Sequence, residues 1–127
     1  MAKWVASSVL DNGLNQIKNN ATKMLLIKAY SAADSYATVA GNIVAEVTMA
    51  SGDYTLSSSG SNRVCTTASG KSATASANSG ATPDLHFAFT NGTDTVYWVT
   101  DETSDQVVTS GNTVNFPQLT YTSNQPT

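Results

Sequence analysis

The chain has 127 residues, enough for one domain with a single core and too few for two. Charged residues make up only 12%, against about a quarter in an ordinary soluble domain, while 34 positions are Ser or Thr. One histidine (His86) and one cysteine (Cys65) argue against an enzyme or a metalloprotein and exclude an internal disulfide, and the 40% hydrophobic content argues against disorder.

Thr favours pleated strands, and Ser, Gly and Asn favour the turns between them. Hydroxyls are also cheaper to desolvate than ions, so such a surface loses little when it is covered by a neighbour. The composition therefore describes a β-rich building block. The net charge of −3 is unevenly spread. Residues 1–28 carry Lys3, Lys18, Lys23 and Lys28 against Asp11, whereas beyond Lys71 there are only acids: Asp84, Asp94, Asp101, Glu102 and Asp105. A basic stripe interleaved with aromatics, which nucleic-acid binding requires, is missing. The sharper reading of the asymmetry is a basic N-terminal arm that docks on an acidic surface of a neighbour.

Residues 1–22 form an N-terminal arm or short helix ahead of a β-domain at 23–127. They hold no apolar run of signal-peptide length, and no stretch of the chain approaches the roughly 20 apolar residues of a membrane span. Folding in a cytoplasm and no membrane partner are the expectations. Ser8 is the expected cap, and Val9, Leu10, Leu14 and Ile17 fall near one helical face. Gly13 weakens a helix and Asn19-Asn20 reads as its stop, so a short helix and an extended arm both remain open.

From Lys23 onward the period is two. Residues 23–30 are apolar on both faces apart from Lys28, as in a strand with little exposure. Residues 43–49 alternate, with Ile43, Ala45, Val47 and Met49 on one side. Ser51-Gly52-Asp53 turns the chain into a short strand from Tyr54, and residues 57–62 read as a flexible loop. Residues 63–68 and 71–78 flank Ser69-Gly70 as a hairpin of thin strands with Val64, Thr66 and Ala68 on one face. Leu85, Phe87 and Phe89, then Val96 and Trp98, flank Asn91-Gly92-Thr93-Asp94, a second hairpin by pattern and turn chemistry. In the last strand Val114 and Phe116 are even-numbered but Leu119 and Tyr121 odd. This parity change at Pro117, which has no amide donor, predicts a bulge or kink on an edge strand. About eight short strands at this spacing point to an antiparallel, jelly-roll-like β-sandwich.

The chemistry-bearing residues are few. His86 alternates with Leu85 and Phe87 and reads as structural, and Cys65 as a small buried hydrophobe. No G-x-S-x-G elbow is present, so a hydrolase is a weak reading. The group 101–105, with Asp94 across the sheet, carries enough oxygens to consider calcium, but it lacks the D-x-D-x-D-G spacing and reads as a solvated turn. Trp98 reads as core. Trp4, beside Lys3 in the arm, reads either as packing over the end of the sandwich or as an anchor in a neighbouring subunit.

Two stretches carry a resemblance. Residues 6–17 (ASSVLDNGLNQI) followed by Asn20-Ala21-Thr22 resemble the start of small tailed-bacteriophage virion proteins, and residues 109–117 (TSGNTVNFP) are similar to the close of those chains. The resemblance spans both ends and is looser in the middle. It implies a capsid cement or decoration protein, a small β-sandwich on the outer face of an icosahedral shell. The implied partners are the major capsid protein and further copies of the chain. It brings no catalytic residue, no cofactor and no metal. The candidate contact residues are Lys3, Trp4, Lys18 and Lys23 in and beside the arm, with Phe116 and Pro117 in the closing strand. The alternative is a tail or head-fibre module that binds a host glycan or protein, marked by an exposed aromatic platform near Tyr97 or Tyr121.

Overall fold

Residues 2–127 are described by a computed structural model of the chain. Helix α1 (Ser7–Asn20) buries Leu10, Leu14 and Ile17, the four-then-three spacing of one helical stripe. It begins one residue earlier than Ser8. Ala6 stands at its N-cap and offers no side-chain bond. Asn19 and Asn20 belong to its last turn, where the Asn20 amide donates back to the Gln16 carbonyl at 3.0 Å. Val9, expected on the apolar face, is 59% exposed. Lys18 ties the C-terminal turn down, because its Nζ donates to the carbonyls of Ser51 (2.8 Å) and Tyr54 (2.7 Å).

Strand β1 (Lys23–Ile27) is buried from Met24 onward on both faces, as its sequence requires. It stops earlier than residue 30, and a five-residue helix α2 (Tyr36–Ala40), which the sequence pattern does not announce, follows. Ser35 starts that helix by accepting the Thr38 amide at 3.3 Å. Strand β2 (Ile43–Thr48) pairs with β1 through a bulge that leaves Val44 as the extra residue. The bulge sends Ile43 to the opposite face from Ala45, so the predicted alternation holds only beyond it.

After a single 3-10 turn at Ser51–Asp53, strands β3 (Tyr54–Ser59) and β4 (Asn62–Thr67) form a tight hairpin. The expected loop at 57–62 is thus strand on either side of a turn in which Gly60 takes φ +61°. The inward residues of β4 are Cys65 and Thr67, not Val64 and Thr66. Nor does β4 pair with β5 (Lys71–Thr74), so the predicted hairpin at 63–78 is absent. The Nζ of Lys71 at the start of β5 binds Asp53 at 2.9 Å and the Thr48 carbonyl at 3.2 Å.

Strands β6 (His86–Thr90) and β7 (Val96–Asp101) form the predicted hairpin. The Asn91 Oδ1 accepts the amides of Thr93, Asp94 and Thr95 at 2.9–3.0 Å, which closes the turn. Phe89 stacks on Trp98 with centroids 4.4 Å apart and planes at 11°. A bulge beside Thr90 turns Val96 away from Trp98 toward the other face.

Strands β8 (Thr113–Phe116) and β9 (Thr120–Ser123) explain the parity change at Pro117. They are two strands: β8 pairs with β5, and β9 pairs with β4. Pro117 is where the chain leaves one sheet for another. Both strands lie at sheet edges.

Among the described residues, nine strands make three antiparallel sheets in the orders β2-β1-β6-β7, β3-β4-β9 and β5-β8. The fold is an all-β, sandwich-like architecture with one substantial N-terminal helix. One face of the four-stranded sheet (Met24, Leu26, Phe87, Phe89) shares a core with Leu14 and Ile17 of α1, Tyr54, Cys65 and Phe116. Its other face (Leu25, Ile27, Ala88) is closed by Val39 of α2. Between the sheets and the helix, the buried Tyr54 hydroxyl donates to the Ala21 carbonyl at 2.7 Å.

Candidate interaction surface

Ahead of α1, Lys3 and Val5 bind the last residues of the chain. The Val5 amide donates to the Gln125 Oε1 at 2.8 Å, and the Gln125 Nε2 donates to the Val5 carbonyl at 2.7 Å. One side-chain amide thus reads the backbone of the arm as a strand partner would. Gln125 is held in turn, since its own amide donates to the Asn62 Oδ1 at 2.7 Å. The Lys3 ammonium donates to the Thr127 carbonyl at 2.8 Å. On this fixed arm the Trp4 side chain is 74% exposed, more than any other large hydrophobic residue described. Packing over the end of the sandwich is therefore not what it does in the isolated chain.

A second apolar feature adjoins the arm. Val9, Gly13 and Gln16 follow one stripe of α1 by their spacing. Gly13 and Gln16 border a hollow of about 170 Å³ whose other walls are Leu14, Ile17, Tyr97 and Tyr121. An added Cβ at Gly13 would meet nothing within 4 Å. Tyr121 is 43% exposed and meets Trp98 edge-on at 5.6 Å. Trp4, Val9 and Tyr121 account for three of the four large exposed hydrophobics, the fourth being Val107.

The remaining predicted contact residues are placed differently. Lys18 is committed to two carbonyls of its own chain. The Lys23 Nζ donates to the Thr48 Oγ1 at 3.2 Å and its stem passes under Gly92. Phe116 is a core residue, tilted on Phe87 at 5.7 Å, while the adjacent Pro117 is exposed. Arg63 pairs with Asp11 at 2.7 Å and fastens α1 to β4. The structure brings together Lys3, Trp4 and the chain terminus, and leaves Lys18, Lys23 and Phe116 outside that group. Gln125, which organises the arm, carried no signal in a polar tail.

The acidic residues divide between two ends of β7. Asp94 sits in the β6–β7 turn, where hydrogen bonds from Asn91 and Thr95 lower its pKa. Asp101 closes β7 at the opposite end, so the two cannot share a calcium ion. Glu102 accepts the Ser104 amide at 3.1 Å and Asp105 accepts the Leu85 amide at 2.9 Å, so these carboxylates shape the loop. Beside them a cleft of about 390 Å³ has Leu85, Phe87 and Val108 in its wall, with Glu102, Gln106 and Asn112 among its polar groups.

Cys65 is fully buried, and burial pushes its thiol pKa up, away from thiolate chemistry. His86 lies between two carboxylates, at 3.9 Å from Asp84 and 3.6 Å from Asp101, with the Tyr30 ring 5.6 Å away. In the sequence His86 stands 15 residues from Asp101, with Asp84 its nearest carboxylate. Only the strand register, which sets His86 opposite Asp101, reveals that pair.

No family model, curated protein or solved structure matches the chain.

Proposed function

We propose that this chain is a non-enzymatic structural protein of a phage virion that binds and stabilises the outer surface of the capsid. The single observation that carries the reading is Trp4, 74% exposed on an arm that Gln125 holds in place. A large aromatic group on an ordered backbone loses little conformational entropy when it enters a pocket, and tryptophan is favoured at interface hot spots. The weakly charged, hydroxyl-rich surface supports the same reading, as does the resemblance of both ends of the chain to small virion proteins. A protein that bridges capsid subunits adds binding free energy that must be lost before the shell opens against packaged DNA. The partners are the major capsid protein and neighbouring copies of this chain, with Lys3 and Trp4 at the contact.

Quantitative mass spectrometry of purified virions tests this. The expected copy number is comparable to that of the major capsid protein. A few copies per particle would overturn the shell-wide role.

One observation favours a second reading, a tail or head-fibre module that binds a host glycan or protein. Tyr121 is exposed beside Trp98 and Tyr97, at the hollow under Gly13, and offers an aromatic face to a sugar ring. Low copy number together with saturable glycan binding that is lost in Tyr121→Ala would establish that module in place of the capsid role.

A further inference from the structure

His86 packs against Tyr30 and is set between two carboxylates. Its Nδ1 lies 3.1 Å from the Asp84 carbonyl oxygen, which only accepts, so this nitrogen carries a proton. In the neutral ring the Nε2 then presents its lone pair, and the atom it faces is the Asp101 Oδ1 at 3.6 Å. In that form two lone-pair-bearing atoms face each other, and either a proton on Nε2 or a cation between them relieves the contact. The Asp84 Oδ1 lies 3.9 Å from Nδ1. One ligand atom from each of Asp84, His86 and Asp101 falls within a group spanning no more than 4.8 Å.

The scaffold produces this constellation. His86 and Asp101 are direct cross-strand partners in the β6–β7 ladder, so their side chains share one face of the sheet. Asp84 precedes His86 by two residues. The Tyr30 ring packs against the imidazole, whose side chain is only 14% exposed, while Asp84 and Asp101 are 66% and 59% exposed and free to turn.

We infer that Asp84, His86 and Asp101 form a binding site for a divalent metal ion of the zinc class. The Nδ1 bond to a backbone carbonyl is the outer contact that ordinarily fixes the tautomer and plane of a metal-binding histidine and leaves Nε2 for the ion. Zinc takes imidazole nitrogen and carboxylate oxygen at about 2.0–2.2 Å, which places neighbouring ligand atoms about 3.4 Å apart. The two exposed carboxylates would have to rotate to close the group to that spacing. The nitrogen donor favours zinc, cobalt or nickel over magnesium and calcium, which take oxygen. Three protein ligands leave a further position for water or for a group from another molecule. The bound ion would join the segment before β6 to the end of β7.

The test is calorimetric titration of the tag-free full chain with zinc chloride, with magnesium chloride as control and thermal unfolding alongside. The expected result is one zinc per chain with a raised Tm, and no response to magnesium. Asp84→Asn and Asp101→Asn change exposed side chains and leave the fold intact, and each should weaken zinc binding at least about tenfold. His86→Gln should abolish it. Absence of saturable zinc binding overturns the proposal, and so does unchanged affinity in Asp101→Asn, which stands even if His86→Gln fails to fold.

Discussion

The four-stranded sheet and the N-terminal arm are held by opposite means. In the sheet, β1 is buried on both faces from Met24 to Ile27, and Phe87 and Phe89 beside it are 2% and 0% exposed. The arm is fastened by amide hydrogen bonds from one glutamine and shows its largest side chain to solvent. Apolar burial carries the fold in the first region. Polar bonds fix only position in the second and leave the apolar group unspent. Stability and binding are therefore assigned to different residues, and substitutions should separate them.

The largest expected effect is in the sheet. Phe89→Ala removes a ring stacked on Trp98 and set edge-on to Tyr54, and should destabilise the fold by about 3–5 kcal/mol in urea unfolding. A loss under about 1 kcal/mol would mean that the core is not centred there. A smaller effect of opposite sign is expected at Gly13. Its Cβ position is open, so Gly13→Ala should stabilise α1 by about 0.5–1 kcal/mol at the edge of the hollow beside Tyr121. Higher stability with weaker partner binding would extend the contact surface from the arm onto the helix. Unchanged binding would confine it to the arm.

The smallest effect concerns acid. The Ala50 amide and the Lys71 ammonium hold the Asp53 carboxyl below its ordinary value of 3.8. A lowered folded-state pKa adds stability that is fully present above the unfolded value. It is lost as pH falls from about 3.8 through the lower folded-state value. Asp53→Asn should flatten that acid limb of a stability–pH curve and lower stability at neutral pH. An unchanged limb would show that Asp53 does not couple folding to acid.

Much of the sheet was legible because its side chains are large. Leu85, Phe87 and Phe89 fix a face, Asn91-Gly92 fixes the turn, and the parity change at Pro117 marks the passage between sheets. The β4 and β5 strands were misread because Ala, Ser and Thr identify a face poorly. Besides β3, β4 pairs with β9, and β5 pairs with β8, on chain that arrives about 57 and about 42 residues later. Helix α2 is too short to show a period, and its cap, Ser35, is one serine among many. At the arm, Trp4 stood out as an isolated aromatic, but nothing in a polar tail singled out Gln125. The facing of His86 and Asp101 needed the register, because a shift of one residue would separate them.

The most direct test of the division between fold and arm is occupancy of the Trp4→Ala chain on purified capsids, with its urea midpoint measured beside the wild type. The account predicts an unchanged midpoint and at least about a thirtyfold loss of affinity, the size of an interface hot spot. Wild-type occupancy by the variant would contradict it.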